Sequence, residues 1–354
     1  MCLQPGVSTL LPVEDSAIPE EKIPAVSRAL CEAFGSPEYE RIRRITVGNT
    51  TSRVFRIVVA GSSFLLKVIL RKDDATRHYA CMKAAADAGL APQIRYTSVE
   101  DKVSITDFVE AAPFPPADAL IRIPATLRAL HALPRFPRIP DHINTSCMFL
   151  LNKGPVVDEY LRRFQAANIL SRSESEELFR RYAQITAVYP KDADMASSHN
   201  DLFKPDNILF DGNRVWLVDW EAAFLNDRYA DLAVVANMLV ANDADEALFL
   251  HEYFGEPADE YQRARLFLAQ QISHIFYAIV FLFPGSSGQQ ADWSETVPTF
   301  REFQQRMWAG EINLKEKHMK VAYGRVHWER LLHNTRQPRF DEALRIVSDV
   351  NVRF

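Results

Sequence analysis

The chain lacks the features that would assign it to several large protein classes. Its four cysteines, Cys2, Cys31, Cys81 and Cys147, lie far apart and form no CxxC pair. That excludes a thiolate metal site and a disulfide framework, and it is the usage expected of reduced thiols in a cytoplasmic protein. A basic excess is also missing: 41 lysines and arginines against 46 aspartates and glutamates leave a net charge of -5. General nucleic-acid affinity needs a basic face, so no nucleic-acid partner is expected. The longest apolar run, Ile275 to Pro284, falls far short of the ~20 residues that cross a bilayer, so no membrane partner is expected either. Met1 to Pro19 shows no basic segment followed by an apolar core and does not read as a secretory signal. No repeat period or low-complexity tract appears.

What remains is a chain of 354 residues, 47% apolar and 25% charged, long enough for two packed lobes. Ile23, Val26, Leu30 and Phe34 recur at helical spacing and Gly35 supplies a stop, which predicts a leading helix over Ile23 to Phe34. Short β-rich runs follow at Ile42 to Val47, Val54 to Ala60, Phe64 to Leu70, Gln93 to Ser98 and Val103 to Phe108, with a helix from Ala75 to Ala88 closed by Gly89. The pattern predicts an α+β chain whose first lobe, residues 1–109, is a small five-stranded antiparallel sheet with one main helix. Three prolines in Glu110 to Pro116 deny the backbone ladder donors and mark the lobe boundary. Residues 110–354 read as a larger, mainly helical lobe, with helices at Pro124 to Leu133, Val156 to Ala167, Ser173 to Tyr189, Tyr229 to Ala241, Ala244 to Phe254, Tyr261 to Phe283, Thr299 to Trp308, Leu314 to Leu332 and Asp341 to Val350. Three roles stay open for the last two helices: completing a substrate pocket, forming a homodimer surface, or capping the lobe.

The stretch that carries chemistry runs from Ser198 to Glu221. Asp201 sits in a polar loop after His199 and Asn200, Asn207 leads into the apolar strand Ile208 to Phe210, and Asp219 ends the apolar run Val215 to Val218. An Asp, an Asn and a second Asp around one loop and hairpin supply what magnesium-assisted phosphoryl transfer needs: an orienting carboxylate and hard oxygen ligands for the metal. The plainer alternatives are a turn cap at Asp201, a strand start at Asn207 and an ion pair at Asp219. Glu221 either joins the metal or substrate site or caps the next helix. Lys67, in the otherwise apolar strand Phe64 to Leu70, points to solvent or reaches a phosphate.

Taken together, these residues resemble the choline/ethanolamine kinase and aminoglycoside phosphotransferase superfamily, which has the bilobal protein-kinase-like fold. His199-Asn200-Asp201 followed by Asn207 resembles the family's catalytic loop, and Val218-Asp219-Trp220-Glu221 its metal motif. Leu127 to His131 resembles its LxxLH helix, and Arg228 and Asp231 match its structural pair after the metal motif. The resemblance implies ATP and Mg2+ as cofactors, Asp201 as catalytic base, and Asn207 and Asp219 as metal ligands. It implies nucleotide contacts from Lys67, from Gly48, Thr50 and Ser52 of a phosphate-covering loop, and from Asp107, Phe108 and Val109 of a hinge.

Three departures accompany it. Five residues, not four, separate Asp201 from Asn207, so Asp206 competes for the ligand position. The helix Ala75 to Ala88 contains no glutamate to pair with Lys67. The covering loop has one glycine. For the acceptor, Trp220, Glu221, His274, Tyr277, Trp293 and Trp308 are the expected lining, because aromatic faces with a carboxylate suit an ammonium group. A cationic small-molecule hydroxyl acceptor follows, with choline or ethanolamine leading and an aminoglycoside or sugar alcohol as the same-class alternative. A nucleotide-binding pseudokinase scaffold is the non-enzymatic alternative.

Overall fold

Alternation in the strands and a 3.6-residue period in the first helix build one apolar core. In β2 (Arg53–Val59) and β3 (Ser62–Val68), Phe55, Ile57, Leu66 and Val68 point to one side and are fully buried. α1 (Ile23–Phe34) lays Ala25, Val26, Ala29 and Leu30 on that face, together with Val103 and Ile105 of β5 (Val103–Asp107). Gly35 ends α1 in the left-handed conformation, φ +79°, donating its N–H to the Cys31 carbonyl. β1 (Arg41–Ile45) and β4 (Ile94–Ser98) complete an antiparallel sheet of order β1-β2-β3-β5-β4.

This computed structural model describes residues 18–45, 52–71, 75–140, 146–151, 155–286 and 296–351. The chain divides into two compact units, residues 1–79 with 92–109 and residues 80–91 with 110–354. The division falls within α2 (Thr76–Asp87). Gly48, Thr50 and Trp293 lie outside the described residues.

The second unit is mainly helical: α3 (Pro116–His131), α4 (Pro155–Ala166), α5 (Arg172–Val188), α6 (Tyr229–Leu239), α7 (Asp243–Phe254), α8 (Glu260–Ser286), α9 (Phe300–Trp308), α10 (Lys317–Thr335) and α11 (Pro338–Asn351). The α+β class expected from the pattern is therefore present. α3 starts eight residues before the expected Pro124, because Pro116 takes the first helical position and Pro124 is carried inside the helix as a buried residue. Two strand pairs interrupt the helices: β6 (Met195–Ser198) with β9 (Phe224–Asp227), and β7 (Ile208–Phe210) with β8 (Val215–Leu217).

α8 is long and apolar enough to cross a bilayer, yet 83% of its most apolar window is buried inside the protein. It serves as the central helix. Its Arg265, with no exposed surface, reaches Asp194 and Asp227, each at 2.6 Å, just before β6 and at the end of β9. The Tyr189 and Tyr229 rings cover the guanidinium at 4.8 and 4.6 Å. α8 is thereby tied to the strand pair from which the loop carrying Asp201 emerges.

α10 approaches α8 at Gly324, where an added Cβ would lie 2.7 Å from Leu282 Cγ and 2.9 Å from the Leu282 backbone nitrogen. The backbone nitrogen cannot yield as a side chain can. Gly324→Ala is therefore expected to cost about 1–3 kcal/mol through overpacking. A thermal melt reads this as a lower Tm; an unchanged Tm would mean that the helices separate without penalty.

Candidate active site

Leaving β6 at Ser198, the chain turns sharply because Asn200 takes the left-handed conformation, φ +67°. Asn is among the few residues that tolerate it. Its side chain then braces the turn: Nδ2 donates to the Ala222 carbonyl at 3.1 Å, and Oδ1 accepts from Asn226 Nδ2 at 2.7 Å. Asn226 also donates to Ser146 Oγ at 2.7 Å. His199 is fully buried, with Nε2 2.9 Å from the Val218 carbonyl and Nδ1 accepting the Asp201 N–H at 3.4 Å. These contacts assign the hydrogen to Nε2.

Beneath the turn lies Asp231 of α6, 1% exposed. Its two oxygens accept the backbone N–H groups of His199 and Asn200, each at 2.8 Å. His131, at the end of α3, places Nε2 3.2 Å from the same carboxylate and Nδ1 2.7 Å from the Tyr253 hydroxyl. Burial acts to raise the Asp231 pKa, but the His131 hydrogen bond, the neighbouring His131 and His199 imidazoles and the backbone N–H outweigh it and hold the carboxyl below its ordinary range.

The reactive side of the loop is built differently. Asn207 is buried, and its Nδ2 donates to the Asp201 carbonyl at 2.6 Å and to Asp201 Oδ2 at 3.0 Å. Its backbone carbonyl accepts the Val218 N–H at 3.1 Å, which joins the loop to the segment carrying Asp219. The extra residue in the loop is absorbed by a 3-10 turn over Pro205–Asn207, which leaves Asp206 exposed and Asn207 against Asp201. Lys204, which sequence reasoning missed, stands 3.3 Å from Asp201 Oδ2. A cation three residues after a candidate catalytic Asp was the available signal. Asp219 occupies the left-handed region, φ +67° and ψ +63°, ahead of a 3-10 turn over Trp220–Ala222. Burial raises the Asp201 pKa; Lys204 opposes that, and the Asp219 charge raises it again.

The other expected residues are spread over both units. Lys67 is half-buried in β3, paired across the sheet with Val54 and Ser104. Ser52 is buried. The Asp107 carboxylate is held by Arg95 at 2.7 and 3.1 Å, and its N–H donates to the Gln93 carbonyl. The Phe108 N–H donates to the Ser63 carbonyl, so neither N–H is left for a nucleotide base. Val109 is half-buried.

The aromatics expected at the acceptor site pack against the protein itself. Trp220 is 3% exposed, donates Nε1–H to the Leu217 carbonyl at 3.1 Å and packs 4.8 Å from the His199 ring. His274 is 1% exposed, its Nδ1 2.9 Å from His327 Nδ1. Tyr277 is 5% exposed behind Phe203, ring to ring 5.1 Å. These are interior residues, not an open aromatic face. Trp308 donates Nε1–H to the Phe114 carbonyl at 2.9 Å and packs on that ring. Glu221 is half-buried in the 3-10 turn after Asp219.

A small antiparallel sheet unit, a helical unit and an Asp–Asn–Asp loop define a protein-kinase-like phosphoryl-transfer enzyme. The chain belongs to the phosphotransferase enzyme family, whose model matches residues 41–267. Among solved structures it is similar to a choline/ethanolamine kinase family protein from Mesorhizobium loti, at 18% identity and TM-score 0.64 over 92% of this chain and 99% of that one. It is also similar to the choline kinase of Cryptosporidium parvum, at 14% identity and TM-score 0.62 over 93% and 98%. A spectinomycin phosphotransferase solved with ADP and spectinomycin superposes at 13% identity and TM-score 0.51 over 85% and 97%. No curated protein matches.

Asp231→Ala leaves two buried N–H groups and His131 without their acceptor, an expected loss of about 3 kcal/mol or more. The sign with pH follows from the depressed folded-state pKa. The carboxylate's contribution is complete above the ordinary value of 3.8 and is lost as pH falls through the lower folded value. Chemical denaturation at a series of pH values should show a less stable variant at neutral pH with a flatter acid limb. Equal stability at pH 7 would remove Asp231 as the support of the loop.

Proposed function

We propose that the protein is an ATP- and magnesium-dependent kinase that phosphorylates a hydroxyl of a small molecule, with an amino alcohol as the acceptor. The observation that carries this reading is Asp201, a carboxylate of raised pKa gripped by the Asn207 amide at 3.0 Å and facing the charge of Asp219. A carboxylate held this way can orient an acceptor hydroxyl and take its proton. The donor set fits magnesium. Two neighbouring carboxylates favour a cation between them, Asp219 offers carboxylate oxygens, and Asn207, whose Nδ2 is committed to Asp201, has its Oδ1 to offer. When bound, magnesium would neutralise charge on the transferring phosphates. Exposure of Asp206 supports Asn207 as the ligand. Lys67 and Val109 are assigned to the nucleotide, and the ADP held by the spectinomycin phosphotransferase supports nucleotide use.

The amino alcohol is supported by the longer and better superposition on proteins named as choline or choline/ethanolamine kinases. With Trp220, His274 and Tyr277 interior, we assign recognition of the acceptor's amino group to Glu221 in place of an aromatic cage. Cys31, Cys81 and Cys147 form no disulfide among the described residues, which is in keeping with a cytoplasmic setting.

The test is ATP consumption over a panel of amino alcohols, aminoglycosides and neutral sugars. A clear hit with a neutral sugar and none with any cationic acceptor would refute the amino-alcohol assignment. Asp201→Asn is expected to lower kcat by about 10² to 10⁴-fold; equal turnover by variant and wild type would leave a nucleotide-binding scaffold as the better description. Activity should fall as pH drops through the raised Asp201 pKa. Lys204 opposes that rise, so Lys204→Met should move the acid limb of kcat/KM to higher pH. A limb that stays in place would assign it to another group.

A further inference from the structure

At the far end of α6 from Asp231, a cavity of about 200 Å³ opens among the ends of α6 and α7 and helices α8, α9 and α10. Three arginines line it: Arg301, Arg330 and Arg339. The carboxylates nearby are already matched. Glu246 takes Arg339 at 2.6 and 2.7 Å and lies 3.4 Å from Arg263, and Asp243 stands 3.8 Å from Arg339. Asp245 accepts the Ala241 N–H at 2.9 Å and an Asn242 amide hydrogen at 3.2 Å.

Arg301 donates to the Met238 and Val240 carbonyls at the end of α6, and the Asp245 carboxylate offsets part of its charge from beyond ion-pair distance. Arg330 makes no hydrogen bond or ion pair among the described residues. Both guanidiniums are partly buried. Burial pulls their pKa values below the ordinary arginine range, and the Arg330 charge pulls Arg301 down further. A second guanidinium in the same half-buried cavity, Arg330, with no carboxylate of its own, is costly beside Arg301, and an anion relieves the cost.

We infer that this cavity binds a small phosphate-type oxyanion, with Arg330 as its main ligand and Arg301 beside it. The guanidinium fork matches phosphate oxygens in a way that an amide or an ammonium does not. The volume lies below the ~300 Å³ at which ordinary small-molecule sites begin, so the occupant is a phosphate or a short phosphate monoester, too small a space for a nucleotide. The site is separate from the reaction centre: Asp231 and Val240 stand nine residues apart along α6 and its C-cap, about 14 Å at 1.5 Å per residue. It does not rest on the assignment of the acceptor.

The experiment is calorimetric titration of the full chain at low ionic strength with inorganic phosphate and, separately, with glycerol 2-phosphate. Wild type is expected to bind at least one of them, Arg330→Gln to bind it about 10-fold or more weakly, and Arg330→Lys to fall between the two. Phosphate held at the reaction centre is common to all three proteins, so the difference isolates the cavity. Arg330 makes no bond that the fold would miss, so Arg330→Gln should melt at or above the wild-type temperature and keep its turnover in anion-free buffer. Tighter binding of the monoester identifies an esterified phosphate as occupant, and tighter binding of the inorganic ion identifies free phosphate. No heat with either anion, or the same Kd for wild type and Arg330→Gln, overturns the inference.

Discussion

The loop that carries Asp201 is held in place by one buried carboxylate. Asp231 accepts the N–H groups of His199 and Asn200, the two residues immediately before Asp201, and so fixes the direction in which the chain leaves β6. A buried carboxylate is stable only when its lone pairs are taken, and here two backbone donors and His131 take them. The constraint propagates outward. His131 comes from the end of α3, Tyr253 behind it from α7, and Asp231 from the first turn of α6. α3 is thus registered on one oxygen pair with α6 and α7, a hundred residues further along the chain.

The strand pair beside the loop depends on a second buried charge. Arg265 holds Asp194, just before β6, and Asp227, at the end of β9, so α8 fixes the end of the strand pair opposite the loop. Above this frame the chain accepts two left-handed residues, Asn200 and Asp219, each costing of order 1–3 kcal/mol unless the surroundings compensate. Asn200 is compensated by bonds to Ala222 and Asn226, and these same bonds fasten the catalytic loop to the segment after Asp219. The strain falls where two loops must approach closely, and the residues that carry it are of types that tolerate it.

Much of this was legible in the residues. The strand and helix periods gave the first sheet and nearly every helix, and the spacing of Asp201, Asn207 and Asp219 brought the reactive loop into view. The LxxLH helix and Asp231 were visible as separate motifs; that they bond to each other through His131 was not, because a hundred residues intervene. The pair β6 with β9 was hidden for another reason. Its strands have four residues each, and Met195 to Ser198 has no apolar alternation, so neither length nor pattern marks it. The aromatic acceptor face misled because helical aromatics look alike in sequence whether they line a site or fill a core. Burial of Trp220, His274 and Tyr277 separates the two. Asp206 and Asn207 compete for one position in the sequence, and only the 3-10 turn over Pro205–Asn207 distinguishes them, leaving Asp206 exposed and Asn207 against Asp201.

Two aspartates meet at this loop, Asp231 beneath it and Asp201 within it, and their surroundings drive their acidities in opposite directions. Asp231 is fully enclosed, yet its donors outnumber the cost of burial, so its charge favours the folded state. Asp201 has one amide and one ammonium to satisfy it and meets the field of Asp219, so its folded-state pKa rises. A carboxyl raised in this way favours folding while protonated, and that contribution is lost as pH rises above its ordinary value. Near neutral pH the ionised Asp201 therefore works against stability while being the form that can accept a proton. Asp231 works for stability and is sealed from any substrate. The separation is the usual sign of an acid–base assignment made by environment and not by residue type. It also explains why the two sites must be joined through His199 and Asn200: the rigid carboxylate supplies the placement that the reactive one, short of donors, cannot secure for itself.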